Sequence, residues 1–530
     1  MLFFIYFLIW FLNFDSYYSL MIKIFDLNLD FMNNFNLGFL LDSKSLTFIF
    51  MVCFVTCLVS IYSEVYLEHY NNKKFFSLMF LFFMFMFLLS SSGSMINLFV
   101  GWDGLGLSSI CLIMFYPNKT TLYNSILTMV FNRLGDVVLI CVICLIFLNY
   151  SNFFFFYENF NSLFLLMLMV CSFTKSAQFP LSSWLPAAMS APTPISAMVH
   201  SSTLVTAGVL LNLFFMDYYT VCNLSLFLSL VSLTTFILGG LMGSLELDLK
   251  KIIAFSTMSQ ISMILLFCSL KFINVAVAHM LFHAFFKTFL FMGAGVSFMM
   301  FFSIQMKSLL KGSSHTPFYL SSLIFLSIFS MSGLMFSSSF FSKDLILEIL
   351  STSEEFFFFM FLTLGSILTI IYSMKLLSSN FNFVNSAKIH ADKNFKFNFT
   401  LIFCIVMVLS GKIFMSFFVE MFPKVSFIEL ILLNMIFVLS FFLSFSLVYS
   451  SYFKKLFLYL VSNISLMKYF TFTIFSNLGT SFYFLNFFQH DNMMFKSIYL
   501  NFKEELFLIK NFKSNFYALA FMILMFILYI

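Results

Sequence analysis

Charge is what this sequence has least of. Of its 530 residues only 9% are Asp, Glu, Lys or Arg, against about 25% in a soluble globular chain. That scarcity excludes a protein that faces water over most of its area. Arginine is almost missing: Arg133 stands alone among 27 basic residues. The net charge of +5 is small for this length, which argues against nucleic acid as a partner. Proline is also sparse, at seven residues, so any clustering of it carries weight. There is no phosphate loop, dinucleotide fingerprint, haem motif or iron–sulfur cysteine set. The chain is therefore expected to hold no cofactor, to bind no metal and to carry no redox chemistry itself. The first apolar run, Met1 to Phe14, has no basic stretch before it and no small-residue cleavage site after it. It reads as a retained membrane segment rather than a cleaved signal.

What is present is apolar length: 62% of residues are hydrophobic. A transmembrane helix needs roughly 20 consecutive apolar residues, and the chain supplies such runs repeatedly. They predict an all-α polytopic membrane protein of about fifteen transmembrane helices, near 1–18, 45–67, 75–92, 95–116, 121–149, 163–190, 196–216, 225–243, 251–270, 273–302, 317–350, 356–378, 399–421, 427–451 and 514–530. Residues 19–44 form a polar interlude and 379–398 a loop. Lysines at 454, 455, 468, 496, 503, 510 and 513 interrupt the later apolar residues, so 483–513 reads as an amphipathic lateral helix on a membrane or protein surface. The 88 phenylalanines fit an A+T-rich coding sequence of the organellar kind. Nine cysteines are scattered through apolar runs, and the Cys141/Cys144 pair lacks partner ligands, so all read as small apolar core residues.

Two places break the helical monotony. Pro180, Pro186, Pro192 and Pro194 fall within fifteen residues, and proline removes a backbone donor and kinks a helix. The second is the serine-rich stretch Ser332 to Ser342, which contains Gly333. Interrupted helices at matching places in two halves are a sequence pointer to a transport site, because the freed backbone groups must line protein or water. Lys175 precedes the first break and Lys343 follows the second. The segments 75–216 and 225–378 are thus expected to form two five-helix repeats with the two lysines in equivalent fourth helices. The segment 1–74 would precede them, and 399–451, the lateral helix and an anchor at 514–530 would follow.

A charge at bilayer depth costs at least a few kcal/mol, so each one needs a reason. Asp103 sits mid-run in Gly101-Trp102-Asp103-Gly104; it is either a proton carrier or a carboxylate capping a neighbouring backbone. Arg133 and Asp136 share a helix face and could pair, whether for structure or for function. Lys175 is a transport lysine or a snorkelling one. His200 opens a helix among hydroxyl residues that could hold water. His279, His283 and Lys287 follow one another at intervals of four, which lays them along one helix face. HxxxH also fits zinc, but no third ligand accompanies it. Lys343 and Asp344 adjoin the second break. Burial in general moves lysines and carboxylates toward neutral titration, and histidine titrates there unaided. A carboxylate that approaches and leaves a buried lysine can therefore drive proton uptake and release.

The run from Lys175 to Gly208, KSAQFPLSSWLPAAMSAPTPISAMVHSSTLVTAG, together with GWDGLGL, NRLGD, KKIIAFSTMSQ, HAFFK and FSKD in that order, resembles the antiporter-like subunits of respiratory complex I, and the chain-5 branch in particular. The resemblance covers about 43–378 well and the rest by pattern only. It implies two inverted repeats, a lateral arm, and a place at the far end of the membrane arm in the mitochondrial inner membrane. It implies proton translocation as a subunit of an NADH:ubiquinone reductase. NADH, FMN, iron–sulfur clusters and ubiquinone would then be bound by other subunits, and the partners would be chain-4 and chain-2 type neighbours, accessory subunits and lipid. By position Asp103 matches the family's carboxylate beside the Lys175 position, Lys175 the first central lysine, Lys287 the connecting lysine and Lys343 the exit-side lysine. Arg133, Asp136, His200, His279 and His283 match supporting polar positions; proton transfer is expected of Asp103, Lys175, His200, Lys287 and Lys343, with Pro180 and Asp344 among the residues that support it. Three departures stand out: Asp103 where Glu is frequent, Ser182 where a histidine is frequent, and an amino terminus one helix short with a short lateral region. The alternatives are an Mrp-type cation/proton antiporter subunit, which shares these motifs and usually continues into further domains, and a structural membrane scaffold.

Overall fold

The computed structural model describes residues 20–27, 35–67, 72–116, 118–149, 162–300, 305–306, 318–333, 337–352 and 356–381. The expected helices at 1–18, 399–421, 427–451 and 514–530 and the lateral stretch 483–513 lie outside them. The described chain begins with β1 (Leu20–Leu27) and β2 (Phe35–Leu41), paired antiparallel with a register irregularity between Lys23 and Phe25. This corrects the all-α expectation: part of the polar interlude is a β-ribbon, its Leu40 N–H donating to Ser91 O at 2.8 Å.

Helices follow: α1 (Ser43–Tyr66), α2 (Asn72–Ser90), α3 (Met95–Ile113), α4 (Lys119–Asn149) and α5 (Ser162–Lys175). Then come the short α6 (Trp184–Ala188) and α7 (Thr193–Met198), a π-turn at Val199–Thr203, and α8 (Leu204–Val221). The chain continues through α9 (Ser225–Leu245), α10 (Leu249–Ser269), α11 (Ile273–Met300), α12 (Phe318–Ser332), α13 (Ser338–Thr352) and α14 (Phe356–Phe381). Among the described residues nine segments are long and apolar enough to cross a membrane. This is a multi-pass membrane protein.

Starts and stops have local causes. At the head of α1 the Asp42 N–H donates to Ser45 Oγ at 2.7 Å, which satisfies an otherwise free first-turn donor. The expected helix 163–190 stops at Lys175, because Pro180 would collide with the carbonyl of Ser176 if the helix ran on. Ala177 takes φ 53° and the Gln178 N–H closes back onto Phe173 O at 3.1 Å, the six-to-one closure of a left-handed helix stop. Pro194 falls in the first turn of α7, where a missing N–H costs nothing. In the π-turn the hydroxyls of Ser201, Ser202 and Thr203 donate back to the carbonyls of Ala197 and Met198, and such back-bonding widens the local turn. The expected helix 317–350 is likewise two helices, parted at Gly333, which takes φ +73°.

Packing places α10 and the stretch Thr193–Val221 at the centre: their apolar windows are 100% and 94% buried, against 33% for α2. Helix α11 crosses this centre and touches α1, α7, α10, α12, α13 and the π-turn. His279, His283 and Lys287 therefore fall on a helix that is mostly enclosed, whereas Arg133 and Asp136 lie on α4, whose apolar window is 39% buried.

Candidate proton-transfer site

The first group of charges gathers where α3, α4 and α5 meet. Arg133 Nη1 donates to Asp103 Oδ1 at 2.7 Å and to Asp136 Oδ2 at 3.3 Å, so one guanidinium holds both carboxylates. Lys175 is fully buried, and its ammonium donates to the Trp102 carbonyl and lies 4.2 Å from the centre of the Trp102 ring. Asp103 is thus bonded to Arg133, while Lys175 is held by the residue beside it, with Asp103 and Asp136 both within its electrostatic reach. Two cations and two carboxylates balance to zero. Asp136 is nearly buried and its Oδ1 has no bonded partner. The close approach depends on Gly135, where a Cβ would sit 2.2 Å from Thr174 Oγ1.

The break after α5 is tied down by side chains. Trp184 Nε1 donates to Thr174 O at 2.8 Å, and Gln178 bonds Ser176 O and Thr235. Pro180 lies in the connecting turns, joined to Phe179 by a cis peptide bond. The Trp184 ring meets the His200 ring edge-on at 6.2 Å. His200, in the π-turn, is buried and neither of its ring nitrogens has a partner. This turn packs against both α10 and α11, so it stands between the first group of charges and the second.

The second group centres on α11. Lys287 Nζ donates to Ser256 Oγ at 2.5 Å and reaches Met331 Sδ at 3.2 Å. Lys343 Nζ donates to Met331 O at 2.9 Å and Ser332 O at 3.3 Å. These are carbonyls at the end of α12, left free by the break and carrying the negative end of the helix dipole. Both lysines are buried, and neither has an ion-pair partner among the described side chains. His283, one turn before Lys287, is buried with both ring nitrogens unpartnered. His279 bonds Ser342 Oγ at 2.7 Å and Gln260 Oε1 at 3.2 Å. Gln260 and Ser259 in turn meet the Tyr372 hydroxyl, at 3.0 and 3.1 Å. The Asp344 side chain lies outside the described residues.

Several of these residues carry no signal in the sequence: Trp102, Ser256, Gln260, Met331, Ser342 and Tyr372 are neutral. A polar stripe on α10, Ser256 and Gln260 one turn apart, is the one pattern that points to them. Lys250 is also buried, donating to Ala191 O at 3.2 Å beside the proline-rich connection. Among the described residues no three His, Cys, Asp or Glu side chains converge as a metal site would require.

The profile described as NADH:quinone oxidoreductase/Mrp antiporter, TM, matches residues 92–369. That for the N-terminus of NADH-ubiquinone oxidoreductase (complex I) chain 5 matches 30–76. NADH-ubiquinone oxidoreductase chain 5 of Caenorhabditis elegans is 35% identical over 399 residues, 74% of each chain. This chain belongs to the complex I chain 5 family. The Aedes aegypti member is 39% identical over 385 residues, 70% of this chain and 66% of that one, so the alignment spans just under two thirds of the mosquito protein. Among solved structures, the Mrp complex from Dietzia sp. contains a chain that superposes with a TM-score of 0.71 at 19% identity, covering 94% of this chain and 58% of that one. A chain of an archaeal membrane-bound sulfane sulfur reductase gives a TM-score of 0.65 at 19% identity, covering 74% and 84%. At that identity the likeness is one of fold.

Proposed function

We propose that this chain is the proton-translocating subunit at the membrane arm of a mitochondrial NADH:ubiquinone oxidoreductase, in the inner membrane. Electron transfer runs in other subunits, which hold the NADH, flavin, iron–sulfur and quinone sites. Neighbouring membrane-arm subunits of the same fold are its partners. The observation that carries this reading is the series of buried titratable side chains between the two helix breaks. Each buried charge in a membrane is costly, and such groups face interior or water-filled paths when they are kept.

Asp103, Arg133, Asp136 and Lys175 form the first station. Arg133 is permanently charged and fixes one end of the cluster. Asp103 on Arg133 leaves Lys175 to the neutral Trp102 carbonyl. A shift of Asp103 toward Lys175 favours the ammonium and draws a proton in, and its return releases that proton. His200 links this station to the next, where His283, Lys287 and Lys343 pass the proton along α11 and out at the second break. His279 supports the second station through Ser342 and Gln260, and Pro180 fixes the break beside Lys175.

Replacing Lys175 by Met in the assembled complex tests the reading. Assembly and NADH oxidation persist while protons moved per electron fall. Full pumping would overturn it. The Mrp-like fold motivates the antiporter alternative, and the same vesicles decide it: sodium-driven proton exchange without NADH would favour that reading.

A further inference from the structure

Lys287 and Lys343 do not meet each other; both meet Met331. The Met331 sulfur lies 3.2 Å from Lys287 Nζ, while the Met331 carbonyl accepts Lys343 Nζ at 2.9 Å. The residue is fully buried at the last turn of α12. It sits in Ser330-Met331-Ser332-Gly333, and both flanking serines spend their hydroxyls on their own helix, Ser330 on Ser327 O and Ser332 on Phe329 O, at 2.9 and 2.8 Å. In a stretch of hydroxyl residues, the side chain at the crossing is the one without a hydroxyl. Lys343 is led to this point by Gly333, where a Cβ would come within 2.8 Å of Lys343 Cδ.

A thioether is a weak acceptor and has no exchangeable hydrogen, so it can receive a hydrogen bond from Lys287 but cannot hand a proton on. On its other side Lys287 bonds the Ser256 hydroxyl at 2.5 Å, a group that can relay. The connection between the two lysines is thus conducting up to Lys287 and blocked at the sulfur. We propose that Met331 is a gate between Lys287 and Lys343, closed while its side chain fills the crossing and opened when that unbranched chain swings aside and admits water. Methionine suits this, because its three rotatable bonds let it vacate a packed site without moving the backbone. Passage through the open gate conserves charge: one N–H bond breaks at the Lys287 ammonium and one forms at the Lys343 amine. The gate keeps the path from conducting when no redox step drives it.

The inference rests on the proton-translocating reading, and resting leak is the quantity that tests it. The whole complex is reconstituted in vesicles, a pH gradient is imposed without NADH, and its decay is followed with a pH-sensitive dye. Met331→Thr places a hydroxyl at the crossing and collapses the gradient several-fold faster than the parent. Met331→Leu keeps the apolar bulk and leaks no faster than the parent. Adding Lys287→Met to Met331→Thr returns the leak to the parent rate. A Met331→Thr complex that oxidises NADH yet leaks no faster overturns the proposal, and so does a leak that survives Lys287→Met. Where the threonine variant does not assemble, Met331→Ser carries the same expectation with less bulk. A leak here with undiminished pumping in Lys175→Met leaves the gate standing and removes only the broader reading.

Discussion

Trp102 does two things for Lys175: its carbonyl accepts the ammonium and its ring lies against it. A cation over an aromatic face is worth about 0.5–2 kcal/mol. Trp102→Leu removes that face and loosens Lys175, so proton pumping per electron falls while NADH oxidation continues. Trp102→Phe keeps a weaker face and retains most of the pumping. Equal pumping in both variants and the parent would show that the ring is passive. Gly333 is constrained twice, by φ +73° and by Lys343 lying where a Cβ would go. Gly333→Ala costs about 1–2 kcal/mol from the left-handed backbone alone and displaces Lys343, which should appear as a lower melting temperature of the complex. The charged residues at this scale were legible in the sequence because each is conspicuous among apolar neighbours. Their pairing was not: Arg133 and Lys175 both stand close to Asp103, and only the packing of α3 against α4 gives its carboxylate to Arg133. Met331 and Tyr372 were silent, since a neutral residue in an apolar run carries no cost that sets it apart.

The two breaks look alike in sequence and differ as structure. Lys175 ends the half-helix before its break and reaches across to α3, whereas Lys343 follows its break and turns back onto the carbonyls of α12. The first break is closed by the indole of Trp184 on Thr174 O. Trp184→Phe leaves that carbonyl buried without a donor, at about 1–3 kcal/mol, and also alters the ring against His200. The measurable outcome is faster hydrogen exchange across the end of α5 with α10 unchanged. Uniform exchange in both variant and parent would mean that the carbonyl finds another donor. Run length made the helices legible, and proline and glycine marked where they weaken. Neither shows that a run of 28 or 34 residues will resolve into two helices, because that depends on which side chains arrive to cap the freed groups. The β-ribbon was hidden for a related reason: Leu20–Leu27 and Phe35–Leu41 are short and carry little alternation, and their pairing is a matter of tertiary contact.

At the scale of the molecule, burial sorts the helices. Helix α10 is buried along its whole apolar window, whereas 33% of that of α2 and 39% of that of α4 is buried. A photoreactive apolar probe dissolved in the bilayer should label α2, α4 or α9 and leave α10 unmarked, as read by mass spectrometry of the excised bands. Labelling of α10 would contradict the packing. Family and fold were legible at this scale, because the motifs from GWDGLGL to FSKD follow one another in order between residues 101 and 344. The π-turn at Val199–Thr203 was not, because no composition announces it. That turn holds one residue more than an α-helix would need. Each residue of an α-helix advances the chain by about 100°, so a chain one residue shorter there would rotate α8 by that angle. Gly208 would leave the place where even a Cβ would come within 2.6 Å of Ser172 O, and a larger neighbour would swing toward the first break. Insertions and deletions are therefore barred from this connection far more strictly than substitutions are, and relatives should align through it without a gap.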